Sequence, residues 1–187
     1  MGIIIGIVVF VVVVLLATSY NRFVNQRQLI DNTWSNVDTE LKRRHDLVPN
    51  LVATVQGYAD HERATLEEVV RARAGAEASA DTPLGSAPSE NVLTSALGKL
   101  LAVSEAYPDL EADTGFLDLQ AELVRTENRI QAARRFYNNN VRDYNTRVQS
   151  VPSNVLAKVF GFHTRDFFEI DEAHRDLPHV SFDDGAP

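Results

Sequence analysis

A chain of 187 residues with a formal net charge of −8 and no cysteine has no disulfide, thiolate metal site, cysteine nucleophile or lipid-modified N-terminal cysteine. The acidic balance argues against general nucleic-acid binding, because a phosphate-binding surface needs a cationic excess. The length suits one anchor and one domain, and the Ala, Leu, Glu, Arg and Gln that dominate after about position 25 favour helix.

Gly2 to Ala17 reads GIIIGIVVFVVVVLLA without a charge, and Thr18, Ser19 and Tyr20 extend it. A membrane-spanning helix needs about 17–25 such residues. The Ile and Val content does not oppose a helix there, since lipid offers the backbone no other hydrogen-bond partners. Tyr20 stands where a ring favours the headgroup region. Ala17-Thr18-Ser19 resembles a signal-peptide cleavage site, but no Lys or Arg precedes the apolar run, so an uncleaved anchor is expected. A buried core helix fits less well, because the run is apolar all round. Arg22 and Arg27 follow the span, and the positive-inside rule then puts the remaining chain in the cytoplasm. Gly2 and Gly6 form a G-x-x-x-G pair through which two spans could pack closely.

From Phe23 to Arg73 apolar residues recur every three or four positions, through Phe23, Ile30, Trp34, Val37, Leu41, Val48, Val52, Val55, Ala59, Leu66, Val69 and Val70. At about 100° per residue they form one stripe whose phase passes straight through Pro49. One long helix kinked at that proline is expected, with a break into two helices there as the alternative. Gly75 to Ser89, rich in Ala, Ser, Gly and Pro, reads as a loop. Ser89 is a plausible N-cap for a second helix reaching about Tyr107 before Pro108. Asp113 or Thr114 caps a third, striped by Phe116, Leu119, Leu123, Ile130, Tyr137, Val141, Tyr144 and Val148. A short fourth, Ser153 to Phe160, ends at Gly161. The fold class is therefore mainly α: a single transmembrane helix continuous with an elongated up-and-down bundle of three long helices plus a short fourth. Residues 1–20 form the anchor, 21–161 the bundle and 162–187 a weakly structured tail, acidic through Asp166, Glu169, Asp171, Glu172, Asp176, Asp183 and Asp184. Such a tail either stays solvated or docks a basic partner.

The polar residues sharing the buried phase carry most information. Arg27, Arg44, His45, Glu62 and Arg73 fall on the long stripe. Glu127, Arg134 and Asn145 fall on the third helix's stripe, with Asn138 at its edge. Unpaired burial of such groups is expensive, so cross-helix partners are expected, with Glu62 and Glu127 set against Arg44 and Arg134. Pairs of this kind fix register, or face a second protomer. A metal site fails on geometry: His45 and His61 lie sixteen residues apart, about 160° around one helix and some 24 Å along it. The Glu-x-x-His spacing of di-iron bundles is absent, as are G-x-S-x-G, Walker and dinucleotide motifs. Asp171 and His174 have a ligand spacing but read as solvated tail residues. No enzyme activity and no cofactor are expected.

Tyr20-Asn21, Trp34, LKRRHDLVPNLV (Leu41 to Val52), Tyr58, His61-Glu62 and EAYPDLEA (Glu105 to Ala112) together resemble the LemA family of bacterial membrane proteins. So do Phe116, Glu127-Asn128, Ile130, Arg134, the pairs Tyr137-Asn138 and Tyr144-Asn145, Pro152, Gly161-Phe162 and Phe168-Glu169. Glu111 and Thr114-Gly115 depart from the family's usual pattern. The resemblance implies a short extracytoplasmic N-terminus, one span and a small helical bundle at the bacterial inner (cytoplasmic) membrane. It implies no reaction. Family genes often lie near those of membrane metalloproteases or TPM-domain proteins. The function expected is a membrane-anchored, non-enzymatic structural scaffold, held in the lipid bilayer, that self-assembles as a homo-oligomer through its helical domain at the bacterial cell envelope. The alternative is an adaptor or accessory subunit of an envelope protease or stress-response complex.

Overall fold

A computed structural model of the chain describes residues 1–79 and 82–169, and all regular structure among them is helical. The elements are α1 (Gly2–Tyr58), α2 (Arg63–Ala78), α3 (Pro83–Ser104), α4 (Pro108–Glu111), α5 (Thr114–Gln149) and α6 (Ser153–Phe160). The apolar run and the first amphipathic stretch belong to one helix, and the run is the one helical segment of the described residues long and apolar enough to cross a membrane. None of it is buried against protein, as a lipid-facing span requires. The chain divides into two compact units, residues 1–41 with 126–168, and residues 42–125.

In the first unit the two long helices run antiparallel. The rings of Phe23 and Tyr144 meet edge to face at 6.1 Å between centroids, and those of Trp34 and Tyr137 at 5.6 Å. Ile30 and Val141 fill the seam between these aromatic pairs, and Val37 and Ile130 are buried beyond Trp34 and Tyr137. α6 ends at Gly161, whose φ of 69° favours a residue without Cβ. The N–H of Phe162 then returns to the carbonyl of Ala157 (2.8 Å), satisfying a helix-end acceptor. That turn lays Phe162 flat on Phe23, with ring centroids 4.8 Å apart.

In the second unit α2 doubles back from α1, and α3 runs antiparallel to α2. Val48, Leu51, Val55, Val69, Leu93, Leu97 and Leu100 form its core. Asp113 begins α5, its Oδ1 accepting from the Phe116 N–H at 2.8 Å while its other oxygen accepts a hydrogen bond from the Tyr58 hydroxyl at 3.0 Å. The Phe116 N–H, and after it the Tyr58 hydroxyl, hold the Asp113 carboxyl below its usual range.

Three expectations are corrected here. α1 continues through Pro49 as expected but ends at Tyr58 instead of running on towards Arg73, and the chain reverses over Ala59 to Glu62. Four linking residues advance the helical phase by about 400°, close to a full turn, so the stripe on the returning helix looked continuous with the first. The stretch Gly75 to Ser89 is largely helical, because α2 persists to Ala78 and α3 starts at Pro83 rather than after Ser89. Thr82 is the cap, its hydroxyl accepting from the Gly85 N–H at 3.1 Å, and Pro83 needs no hydrogen bond at the first helical position. Pro88 sits inside α3, where the carbonyl it deprives belongs to Leu84, an exposed residue that water reaches.

Candidate functional site

The second unit buries a charge cluster. Arg44 and His45 occupy adjacent positions on α1, which an α-helix places about 100° apart, and both turn inward around a single carboxylate. Glu90 of α3, fully buried, takes the Arg44 guanidinium on one oxygen and His45 Nε2 on the other at 2.9 Å. Arg44 also donates to the Thr94 hydroxyl at 3.0 Å, one turn further along α3. Burial alone would raise the Glu90 carboxyl, but the His45 hydrogen bond and the Arg44 charge outweigh it and hold the group below its usual range. The carboxylate is therefore ionised at neutral pH.

A second cation completes the cluster. Pro49 has no N–H, so the carbonyl of His45, four residues earlier, lacks its helical donor. Arg73 of α2 supplies one, its Nε–H reaching that oxygen at 2.8 Å, while Glu77 steadies the guanidinium at 2.7 Å.

The first unit holds a different device. Asn138 and Asn145 each grip the backbone N–H and C=O of one residue in the stretch after α6. Asn145 donates to the Arg165 carbonyl (2.9 Å) and accepts from its N–H (2.8 Å). Asn138 does the same at Phe168, at 3.0 and 2.9 Å. Seven helical residues rise about 10.5 Å, and three extended residues span about 10 Å, so the heptad spacing matches an extended strap. Tyr137 adds a hydroxyl bond to the Asp166 carbonyl at 2.8 Å, and burial pushes its phenol up to about 12. Arg165 reaches Asp31 of α1 at 3.3 Å, and Phe168 is buried edge-on to Trp34.

The expected polar residues thus divide between these two places. Arg44 and His45 are buried and meet Glu90, where Glu62 and Glu127 had been expected to supply the carboxylate. Glu62 stands just before α2, where its side chain makes no cap and accepts from the Tyr107 hydroxyl at 3.2 Å, since the chain reversal moves it off α1 altogether. Glu127 is half-buried and Arg134 buried on α5, and neither is without a partner. Asn138 and Asn145 bind backbone of the stretch after Gly161, so residues 162–169 are held in place, with Phe162 and Phe168 buried. Asp171, Glu172, His174, Asp176, Asp183 and Asp184 lie outside the described residues. Gly2 and Gly6 lie in the exposed run, with open space where a Cβ would stand. Glu90 was missed because a helix starting after Ser89 makes it a solvated first-turn acid. With α3 beginning at Pro83 it shares the inward face of Ser86, Leu93 and Leu97.

Among the described residues no three His, Asp or Glu side chains gather as they would around a metal ion. Arg44, His45 and Glu90 are too buried to meet a solute and engage one another instead. What the arrangement does chemically is hold helices in register and fasten an extended segment.

The chain is similar to known proteins along most of its length. Residues 33–182 match the model of the LemA family. A relative named magnetosome protein MamQ 2, from Paramagnetospirillum magneticum, is 27% identical over 89% of this chain and 70% of its own length. Magnetosome protein MamQ of Magnetospirillum gryphiswaldense is 24% identical over 88% and 69%. Protein LemA of Metamycoplasma hominis is 24% identical over 83% and 71%.

Proposed function

Because the chain belongs to the LemA family, we propose that this membrane-anchored helical protein is a non-enzymatic scaffold that self-assembles at the inner membrane of a bacterial envelope. The observation that carries the proposal is the continuity of α1, which passes from an apolar, lipid-facing run into the folded region without a break. An assembly of the folded part is then coupled to the position of the spans. The buried ionic residues support a structural role, since they bind one another and present no charge to a substrate. The relatives named for the magnetosome are at most 27% identical, which transfers no specific task.

Self-association needs surface that the chain leaves uncovered. Leu117 and Val124 are 47% and 39% exposed, seven residues apart and hence on one face of α5. Gly2 and Gly6 offer a second, thinner contact within the bilayer. The polar residues once expected to face a partner are less suited, since Arg44, His45, Asn138 and Asn145 have partners in their own chain. Arg22 and Arg27 favour a cytoplasmic folded part, which reporter fusions to the C-terminus test directly.

The absence of cysteine allows a clean test. A single-cysteine V124C chain in native membranes, treated with a short bismaleimide, is expected to yield crosslinked dimers, and a G6I substitution to reduce them. Uncrosslinked chain throughout, together with a monomer at every concentration in detergent, would overturn the scaffold reading.

A further inference from the structure

Where the apolar run of α1 ends, the first unit forms an open groove of about 990 Å³ against the last turns of α5 and the whole of α6. Its lower walls are apolar, built from Leu15, Leu16, Leu156, Val159 and Phe160. Its upper end carries Arg22 from α1 and Arg147 from α5, with Asp143 beside them. Arg22 lies seven residues beyond Leu15, about 10.5 Å along the helix, and the headgroup layer is about 5–8 Å deep on each side of the hydrocarbon. With Leu15 in the acyl layer Arg22 reaches headgroup height, and Arg147 lies close enough to feel its charge.

Two further observations favour a lipid occupant. Val151, Val155 and Val159 are 81%, 63% and 72% exposed, an apolar edge that water would penalise but lipid would not. Tyr20, at the end of the span, packs its ring on Phe160 at 5.0 Å, which ties α6 to the level of the membrane surface. Charge then selects among lipids. The hydroxyls of Thr18, Ser150 and Ser153 donate to backbone carbonyls, and of the other polar groups lining the groove only Arg22 and Arg147 carry positive charge. Burial, and after it the neighbouring Arg22, hold half-buried Arg147 below its usual value against the opposing pull of Asp143. Two like charges facing one space gain from an anion placed between them.

We propose that this groove binds one anionic phospholipid of the surrounding leaflet. Its phosphate lies between Arg22 and Arg147, and one acyl chain runs along Leu15, Leu16, Val159 and Phe160. α6 is then an interfacial helix that senses lipid composition where the span leaves the bilayer.

The test is native mass spectrometry of the full-length chain released from nanodiscs of phosphatidylcholine containing one-fifth phosphatidylglycerol. The wild type is expected to retain one phosphatidylglycerol in preference to phosphatidylcholine. R22Q/R147Q is expected to lose that preference by about tenfold or more, and R142Q, changed outside the groove, to keep it. V159E alters an exposed wall position with no structural load and is expected to lose the bound lipid as well, which separates lipid binding from folding. Equal retention of both lipids by the wild type would overturn the proposal. So would a preference that survives R22Q/R147Q and V159E, or one that R142Q abolishes equally.

Discussion

Arg73 donates its Nε–H to the backbone carbonyl of His45 at 2.8 Å, and that carbonyl is the one Pro49 leaves without a helical donor. An interior proline costs a helix about 3 kcal/mol through its missing bond and its ring. A guanidinium from the neighbouring helix offsets part of this while cross-linking α1 to α2. The two features are therefore coupled. Arg73→Ala leaves a buried acceptor bare and is expected to cost about 1–3 kcal/mol. In a Pro49→Ala background, where an N–H fills the gap, the same change should cost markedly less. Thermal unfolding of the four chains in mild detergent, followed by circular dichroism, reads the coupling; strictly additive effects would disprove it.

Glu90 predicts a pH dependence. Its carboxyl is held below the usual value in the folded chain, against about 4.3 unfolded. A depressed carboxyl contributes stability that is fully present above the unfolded value and is lost as pH falls through the folded one. The wild type should therefore lose stability steeply below about pH 4. Glu90→Gln should flatten that acid limb. At neutral pH the substitution leaves Arg44 without its Glu90 carboxylate and is expected to cost about 3–5 kcal/mol. Melting temperature against pH for both chains decides the matter: parallel curves would remove Glu90 from the acid response.

The apolar stripes were legible because burial recurs at the helical period whatever the topology. Phe23, Ile30, Val37, Leu41, Val48 and Val55 on α1, and Phe116, Leu123, Ile130, Tyr137, Val141 and Tyr144 on α5, are all buried as their spacing implies. Chain reversal was not legible, since the four-residue link after Tyr58 preserves the phase and carries no proline. Partner identity was less legible still. Arg44 and His45 announced themselves as charges in an apolar phase, but Glu90 lay in a Pro- and Ser-rich stretch whose helix start was misplaced. Asn138 and Asn145 were conspicuous for the same reason as Arg44. Their partner is the backbone of an extended segment, and backbone leaves no periodic mark on a sequence.

That strap makes its own prediction. Asn145→Asp keeps the acceptor for the Arg165 N–H but sets a carboxylate against the Arg165 carbonyl, which needs a donor. Asn145→Ala removes both bonds without adding repulsion. The aspartate should therefore free the segment at least as much as the alanine, despite its smaller change in shape. Hydrogen exchange at the Arg165 and Phe168 amides measures this, and slow exchange in the aspartate chain would count against the clamp. The helices themselves should exchange as before.

Phe162 anchors the same strap by other means. It is 7% exposed, stacked on Phe23 and beside Tyr20, with the Arg27 guanidinium 5.9 Å above its ring. Truncating a buried phenylalanine costs about 3–5 kcal/mol when the surroundings cannot collapse. Here the loss should be smaller, because the strap can detach and let solvent in rather than hold a cavity open. Once it has detached, the amide bonds at Asn145 are already gone. Phe162→Ala and Asn145→Ala together should then destabilise by clearly less than the sum of their separate effects, with a coupling of about 0.5–3 kcal/mol. Unfolding of the two single variants and the double variant measures that coupling. Full additivity would mean that the ring and the amide hold independent pieces of chain.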